Sequence, residues 1–357
     1  MLLYIHFGIY KTGSSYLQHL CARNRDVLKA GGFFYPTSPF EKEMVKGIIS
    51  PGNARNLVGL LNSKDQKGCA DLISEWKLVA EKNGCDKILI SAEALVHAFA
   101  LGHGIPTLES AASIAGITGI HALGYFRDLA DHAISTYRHR AKSGKIKDFE
   151  HWLQNTYEAP RVLREFFRNI NQQSSTTWTF RKFRKDSGFL RDSFFKDWLG
   201  VHASFHEQRE KVNESLTFSE IMVMKEVSAH YRQVTDFFID AFKEMPAQYK
   251  ASDKDLEQYH FSLACKHLQQ YDALIAEINA RFPEMEKLAI GTAPTAPQAM
   301  SAAQLSAAQL EVLFTTIEKF NKPVGKLIAF RRNIRKMVPE RILQKLLKLK
   351  SSANIWL

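Results

Sequence analysis

The chain has 357 residues, of which 45% are hydrophobic and 24% charged, a balance typical of a folded globular protein and unlike that of a disordered chain. It has no run of 18 or more apolar residues, which argues against a membrane-spanning helix, and its apolar N-terminus lacks the basic leader and cleavage site of a signal peptide. We therefore expect a cytoplasmic protein with one large α/β domain and added segments.

The formal net charge of +11 is concentrated at the C-terminus. From Lys319 onward there are eleven Lys and Arg residues and one acid, Glu340, so the rest of the chain is close to neutral. This distribution argues against a nucleic-acid groove across the main domain and indicates a separate role for the tail. The four cysteines are too widely spaced to predict a zinc site, and we interpret them as reduced thiols.

Apolar runs that alternate with helical patterns organise most of the chain. The first strand is predicted over 2–7, and the helix after it, over 15–30, is closed by Gly31 and Gly32. Loops and short helices near the cleft are predicted between Pro36 and Asn62. Further strands are predicted over 87–91, 120–126 and 176–180, and further helices over 70–81, 129–141, 217–246 and 254–281. This alternation predicts an α/β fold with a central parallel sheet flanked by helices.

The C-terminal third has a different composition. We predict a main domain over 1–288 with helical additions after about 217, an Ala/Pro/Ser-rich linker over 289–310 and a basic amphipathic tail over 311–357. The helical spacing of leucines and lysines in the tail favours peripheral contact with an anionic membrane. A terminal helix docked on its own domain, or a tail that binds a polyanionic acceptor or a partner subunit, would show the same pattern.

A small-residue loop follows the first strand. It reads Lys11-Thr12-Gly13-Ser14-Ser15 and leads into a helix, so backbone N–H groups, hydroxyls and the Lys11 ammonium can converge on a phosphate. The P-loop of nucleoside triphosphatases places its lysine directly after the second glycine. Here the lysine precedes Gly13 by two residues, which argues against that class.

The loop resembles the 5′-phosphosulfate loop of PAPS-dependent sulfotransferases, in which a lysine or arginine precedes a small residue, a glycine and two hydroxyl residues. Tyr10 departs from the pattern, since many members carry proline there. A second likeness lies at Arg127, just after the strand over 120–126, and at Ser135, eight residues on in the next helix; this arrangement resembles the family's 3′-phosphate site. An arginine at the carboxyl edge of a parallel strand also suits bidentate phosphate binding. The alternatives are an ion pair of Arg127 with Asp128 or Asp131 and an ordinary helix hydroxyl at Ser135.

The resemblance covers about residues 2–220 and is faint outside the two motifs. Within the family, the chain is similar to the bacterial carbohydrate-type members. It implies a P-loop-like sulfotransferase fold, PAPS as the donor and in-line displacement at sulfur without a metal. Binding of the donor is implied for Lys11 through Ser15, for Arg127 and for Ser135. Tyr16 stands where some members use an aromatic ring against adenine, although packing on the sheet would place an aromatic residue there equally well.

Catalysis requires a cation near the bridging oxygen and a base for the acceptor proton. Lys11 is placed for the first role. Glu93, just past the strand over 87–91, is our first candidate for the base, and His97, one helical turn later, is the second. Glu93 could instead cap the next helix or orient the acceptor, and His97 could be a surface histidine.

The resemblance implies that the acceptor is a hydroxyl or amine of a glycan or glycolipid, and the sequence does not choose between O- and N-sulfation. Two other functions stay open at this point. One is a P-loop-type kinase. The other is a non-catalytic nucleotide- or anion-binding protein that its basic tail attaches to membranes.

Overall fold

The computed structural model describes residues 1–144, 147–170, 174–207, 215–230, 235–281, 286–292 and 303–319. Most of the predicted basic tail and the middle of the predicted linker lie outside these ranges, so both stay predictions. Among the described residues, no helix is both long and apolar enough to cross a membrane.

A single sheet of five parallel strands forms the centre of the fold. The strands are β1 (Leu2–Gly8), β2 (Phe33–Phe34), β3 (Lys87–Ser91), β4 (Gly119–Phe126) and β5 (Thr177–Lys182). Their order across the sheet is β2-β3-β1-β4-β5, and every neighbouring pair is parallel. The predicted α/β fold with a parallel sheet is therefore confirmed. The short edge strand β2 had no predicted counterpart, because two residues carry no alternation to detect.

Helices fill the connections between the strands and most of the chain that follows. They are α1 (Ser14–Arg23), α2 (Arg25–Ala30), α3 (Glu41–Val45), α4 (Arg55–Asn62), α5 (Gln66–Lys82), α6 (Leu95–Ala100), α7 (Gly104–Ile114), α8 (Leu129–Ala141), α9 (Phe149–Asn155), α10 (Ala159–Ile170), α11 (Ser187–Asp192), α12 (Phe218–His230), α13 (Thr235–Glu244), α14 (Lys254–Leu268), α15 (Asp272–Asn279) and α16 (Ala307–Lys319). A π-helical turn spans Ser193–Trp198, and 3₁₀ turns span Ala247–Tyr249 and Gln269–Tyr271.

The helix predicted over 15–30 is in fact two helices, because the chain breaks at Asn24. The backbone of Asn24 leaves the helical region (φ −119°, ψ 40°), and its amide donates to the Leu20 carbonyl at 2.8 Å. Its Oδ1 accepts from the His206 backbone N–H at 2.8 Å. A side chain that bonds locally to the backbone competes with the helix and ends it here. The helix predicted over 254–281 is likewise divided, by the 3₁₀ turn at Gln269–Tyr271.

Both faces of the sheet are covered, as the run of apolar residues in its strands requires. Because side chains alternate along a strand, Tyr4 and His6 of β1 face one side while Phe7 faces the other. On the first side, Leu17 and Leu20 of α1 pack against Leu123 of β4 in a buried cluster. On the second side, rings from β1, α6, α10 and β5 pack edge to face, with Phe7 and Phe99 separated by 5.5 Å.

The chain divides into two compact units. The first comprises Met1–His132, Glu158–Lys211 and Gln269–Gly291 and contains the sheet; the second comprises Ala133–Tyr157, Val212–Leu268 and Thr292–Leu357. In the second unit, the ring of His260 stacks on Phe218 with 4.0 Å between centroids, and the buried Glu220 pairs with Lys250 at 3.2 Å. The described secondary-structure elements of this unit are all helices, and the strands belong to the first unit.

The strand order identifies the part of the sheet edge where open α/β folds usually bind their ligands. After β1 the chain crosses to β2 at one edge of the sheet, whereas after β4 it continues to β5 at the other edge. The connections leaving β1 and β4 therefore diverge between two adjacent strands. Such a divergence opens a crevice at the carboxyl edge of a parallel sheet, which is where ligands of open α/β folds bind. The predicted phosphate loop follows β1, and Arg127 follows β4.

Candidate active site

The Lys11 turn, residues 9–13, joins β1 to α1 in an unusual backbone conformation. Lys11 has φ 68° and Gly13 has φ 80°, so two of its residues adopt the left-handed region. The left-handed φ explains the glycine at 13, where a β-carbon would also come within 2.5 Å of Leu190 Cδ2. Lysine carries a β-carbon and is therefore strained in the left-handed conformation. Left-handed non-glycine residues are concentrated at functional sites. The backbone strain at Lys11 agrees with the prediction from the sequence that this turn is a binding loop.

The hydroxyl groups of the turn divide into two kinds. Thr12 Oγ1 is buried and donates to the Ile9 carbonyl at 2.7 Å, so it braces the turn. Its predicted role as a ligand donor stays a prediction and requires this bond to break. Ser14 Oγ, at the first residue of α1, is buried without a hydrogen-bond partner. A buried orphan hydroxyl at a helix N-terminus is a fitting donor to an anionic ligand. Ser15 lies beside it and is partly exposed.

Glu93 faces this turn from the end of β3. Burial raises the pKa of its carboxyl to about 7, against the opposing effects of the nearby Ser14 hydroxyl and of the Lys11 ammonium and backbone N–H. The Ser14 hydroxyl is close enough to influence the carboxyl without forming a hydrogen bond of normal geometry. Glu93 nevertheless keeps part of its surface exposed. A carboxyl that titrates near neutrality and can be reached from solvent is suited to general base catalysis.

The alternative in which Glu93 caps the next helix is wrong. Helix α6 has Ala94 at its N-cap, and no side chain caps it. Only the backbone carbonyl of Glu93 takes part, accepting from the Val96 N–H at 3.3 Å. The carboxyl is therefore available for the turn and for a ligand.

The ammonium of Lys11 lies among other charges. Burial lowers its pKa, the Glu93 carboxylate raises it, and the Arg127 guanidinium lowers it. The strand pairing agrees with this, since β1 lies between β3 and β4 and all three strands are parallel, so the residues that follow them share one edge of the sheet. The turn after β1, the end of β3 and the end of β4 thus contribute to one site in the first unit.

Arg127 is nearly buried, and its side chain keeps two described contacts. Its Nη2 donates to Asp131 Oδ1 at 3.4 Å, and its guanidinium carbon lies 5.5 Å from the centre of the Phe183 ring. The ion pair that the sequence left as an alternative is therefore present, but it is long and uses one of the five guanidinium N–H donors. Most of the donor capacity remains for a phosphate.

The N-terminus of α8 offers less to an anion than the sequence suggests. The N–H groups of Leu129 and Ala130 donate to the carbonyls of Ala289 and Ile290 at 3.1 and 2.9 Å. The chain itself thus satisfies two of the first-turn donors that could have bound a phosphate. Ser135 lies farther along α8, partly exposed, in the part that belongs to the second unit. Its role at a 3′-phosphate stays a prediction.

His132 is a supporting residue whose importance the sequence did not reveal. It is buried in α8, and its ring N–H donates to the Tyr10 carbonyl at the start of the Lys11 turn. Burial and the charges of Arg127 and Lys11 lower its pKa to about 3, so the ring is neutral at physiological pH. It can hold the turn in place without adding a further positive charge.

Tyr16, the candidate for adenine binding, and His97, the second candidate for the base, have different surroundings. Tyr16 packs against the buried cluster beneath α1, as the packing alternative predicted, and its contact with adenine stays a prediction. His97 is partly exposed in α6, with its ring centre 5.3 Å from that of Tyr10. It remains the second candidate for the base.

A buried polar network that the sequence did not predict supports the end of β3. Asn53 Oδ1 accepts from the Ser91 N–H at 2.7 Å, and its Nδ2 donates to the carbonyls of Leu89 and Pro36, both at 3.3 Å. Strand β2 pairs with β3 only as far as Ile88, so this amide takes the place of the missing strand. Glu93 follows two residues later. The turn sequence around Asn53 signals a loop, but no local pattern reveals its distant partners.

Replacing Asn53 by alanine is expected to destabilise the protein by about 1–3 kcal/mol, because it leaves the buried backbone groups of Leu89 and Ser91 without partners. Chemical denaturation with urea measures this change. Asn62→Ala, at an exposed position at the end of α4, is the matched control and should change stability far less. Equal stabilities of the two variants would contradict the supporting role of Asn53.

No protein-family model, curated protein or solved structure matches the chain. Within the described ranges, no group of three or more His, Cys, Asp or Glu side chains could hold a metal ion. The function is therefore inferred from the residues and geometry of the site.

Proposed function

We propose that the protein is a PAPS-dependent sulfotransferase with a P-loop-like fold. The observation that carries the proposal is the placement of Lys11 and Arg127, which leave neighbouring strands at the switch point and lie close enough for the Arg127 charge to lower the pKa of Lys11. Two such cations on separate loops suit a donor with two anionic ends, and PAPS carries a 5′-phosphosulfate and a 3′-phosphate. The sequence resemblance assigns these ends to the same two loops.

The chemical step follows from the residues around the turn. The acceptor oxygen or nitrogen attacks sulfur, the bond from sulfur to the bridging oxygen breaks, and adenosine 3′,5′-bisphosphate leaves with the bonding electrons. Lys11 stabilises the negative charge that develops on the bridging oxygen. Glu93 accepts the proton of the acceptor group. Because the donor binds beside Lys11 and Glu93 faces that lysine, both groups can act on the same reacting centre.

Two observations favour this function over its rivals. The order of lysine and glycine in the turn differs from that of the triphosphate-binding loop, which disfavours a kinase. A partly exposed carboxyl with a pKa of about 7 next to the anion-binding lysine disfavours a protein that only binds nucleotides, since such a group would weaken anion binding without a catalytic benefit.

The acceptor class rests on the resemblance alone. We propose a hydroxyl or amine of a glycan or glycolipid, modified by a cytoplasmic enzyme that can lie at a membrane surface. The basic tail is the predicted membrane contact and lies outside the described residues.

The donor site is tested by thermal denaturation in the presence of nucleotides. Adenosine 3′,5′-bisphosphate is expected to raise the melting temperature by several degrees, because a ligand at 100 times its Kd adds about 2.7 kcal/mol of stability. Adenosine 5′-monophosphate, which lacks the 3′-phosphate, and ATP should each give a smaller shift. A larger shift with ATP and Mg²⁺ would favour a kinase and contradict the proposal. Transfer of label from PAPS to candidate glycans, detected by mass, then identifies the acceptor.

A further inference from the structure

The loop over residues 46–53 is fixed at the carboxyl edge of the sheet. At its base, Gly52 has φ 83°, and a β-carbon there would collide with the Ser91 carbonyl oxygen. Only glycine fits at such a position. The neighbouring Asn53 binds Ser91 and Leu89 through its amide. The base of the loop therefore adjoins the strand end that carries Glu93.

The far side of the loop is held on α1. Ser50 Oγ donates to Gln18 Oε1 at 3.0 Å, and Gln18 Nε2 in turn donates to Ser91 Oγ at 3.3 Å. The Ile48 N–H donates to the Glu43 carbonyl at 2.9 Å. Because α1 begins at the Lys11 turn and Ser91 ends β3, these bonds fix the loop against the two elements that carry Lys11 and Glu93.

The tip of this well-anchored loop exposes apolar side chains. Ile48 is 51% exposed and Ile49 is 63% exposed, although they are adjacent and β-branched. Single exposed apolar residues are normal on a protein surface. An adjacent pair on a fixed loop near a candidate active site instead indicates a surface that another molecule covers.

The exposed charges around the tip are positive. Lys42 and Lys46, one helical turn apart, are exposed and have no ion-pair partner among the described residues. Of the two acids in the same segment, Glu41 pairs with Arg25 at 2.7 Å, whereas Glu43 turns its Oε2 into a buried position where it has no hydrogen-bond partner. The tip thus combines two exposed isoleucines with two exposed lysines.

We propose that this tip inserts into the surface of a lipid bilayer with anionic headgroups, with Ile48 and Ile49 at the acyl-chain boundary and Lys42 and Lys46 on the headgroup phosphates. Apolar side chains flanked by lysines suit this interface. The insertion would present the edge of the sheet that carries Glu93 to a hydroxyl or amine displayed at the membrane. In that respect it rests on the proposed function and makes a lipid-borne acceptor its substrate class.

A second copy of the chain is a weaker choice of partner. Stable protein interfaces bury about 800 Å² on each partner, with some 20–30 residues on each side. Two isoleucines and their neighbours on a single tip fall far short of that size. A bilayer requires no complementary shape, so a small apolar tip with adjacent cations suffices.

The test places a polarity-sensitive fluorophore on the tip of the full chain. The cysteines Cys21, Cys69, Cys85 and Cys265 are all buried, so a cysteine introduced by Ile49→Cys can be labelled selectively. The matched control is Ile114→Cys at the end of α7, where the side chain is 65% exposed. With vesicles of phosphatidylcholine and phosphatidylglycerol, the label at 49 is expected to shift to the blue and to be quenched by brominated lipids, whereas the label at 114 does neither.

The lysines are tested in the same assay. In the labelled Ile49→Cys chain, adding Lys42→Glu and Lys46→Glu is expected to weaken the vesicle affinity reported by the label by at least fivefold per reversed charge, since a lysine near an anionic surface contributes about 1 kcal/mol. The basic tail is identical in every variant, so it cannot produce a difference between them.

An unchanged spectrum at 49, or equal changes at 49 and 114, would overturn the proposal. A blue shift at 49 that grows with protein concentration in the absence of vesicles would also overturn it, in favour of self-association. The readout requires no transfer of sulfate. If adenosine 3′,5′-bisphosphate fails to stabilise the protein while the label at 49 still responds to vesicles, the transferase assignment fails and insertion of the tip is supported.

Discussion

Replacing Lys11 by glycine is expected to lower sulfuryl transfer by 10²–10³-fold while leaving the fold at least as stable. The loss of activity follows from the loss of the cation next to the bridging oxygen, since removing one preorganised group that stabilises developing charge typically costs about 2.7–4 kcal/mol in the transition state. The gain in stability follows from the left-handed backbone of Lys11, with φ 68°, which glycine adopts without strain. Opposite effects of one substitution on activity and stability would mark Lys11 as a residue kept for function.

Lys64 provides a matched control, because it is the other described non-glycine residue with a positive φ, at 57°, and it is exposed at the end of α4. Lys64→Gly should raise stability in the same way and leave transfer unchanged. The free energy of unfolding in urea and steady-state transfer from PAPS are measured for both variants. Full activity of Lys11→Gly would contradict the assignment of the turn as the donor site.

The features of the fold that depend on local pattern could be predicted from the sequence. Strand β3, helix α8 and the turn at Lys11 each follow from a contiguous run of residue types, and the structure has them where the pattern predicts. The parallel sheet follows from the alternation of such runs. The features that the sequence did not predict depend on partners that are distant in the chain. The break at Asn24 combines a local bond to the Leu20 carbonyl with a bond from the His206 backbone N–H, 182 residues away, and no local window contains the second partner.

The candidate site shows the same division. The positions of Lys11, Glu93 and Arg127 at strand ends follow from the sequence, because the carboxyl ends of parallel strands share one edge. Their chemical states do not. The raised pKa of Glu93 depends on burial and on Ser14 and Lys11, and the packing of Arg127 on Phe183 joins the ends of β4 and β5. Asn53 was missed because its amide acts by hydrogen bonding to three backbone groups that lie in other segments of the chain.

Glu93→Gln is expected to lower kcat by 10²–10⁴-fold, the usual contribution of general acid–base catalysis, and to remove the pH dependence of transfer. A base must be ionised to accept the proton. With a pKa of about 7, transfer by the unmodified protein should rise roughly tenfold per pH unit below 7 and become level above it. Glutamine is nearly isosteric and cannot ionise, so the variant should show a low and flat profile.

His97→Gln is the matched control, since His97 lies one helical turn from Glu93 and is the second candidate for the base. It should keep both the rate and the inflection near pH 7. If His97→Gln flattens the profile instead, the histidine is the base. If Glu93→Gln raises the KM for the acceptor but keeps the inflection, Glu93 orients the acceptor and does not remove its proton. The split between kcat and KM thus separates the two roles.

Stability gives a second, independent measurement of the same carboxyl. Its pKa is about 7 in the folded protein, above the ordinary value of 4.5. Between these values the folded state binds more protons than the unfolded state, so the contribution of Glu93 to stability is largest below pH 4.5 and is lost as the pH rises towards 7. Glu93→Gln should therefore remove a decrease in unfolding free energy over this range. If the variant shows the same decrease as the unmodified protein, the pKa of the Glu93 carboxyl is not raised. Glu93 then cannot be the group that gives transfer its inflection at neutral pH.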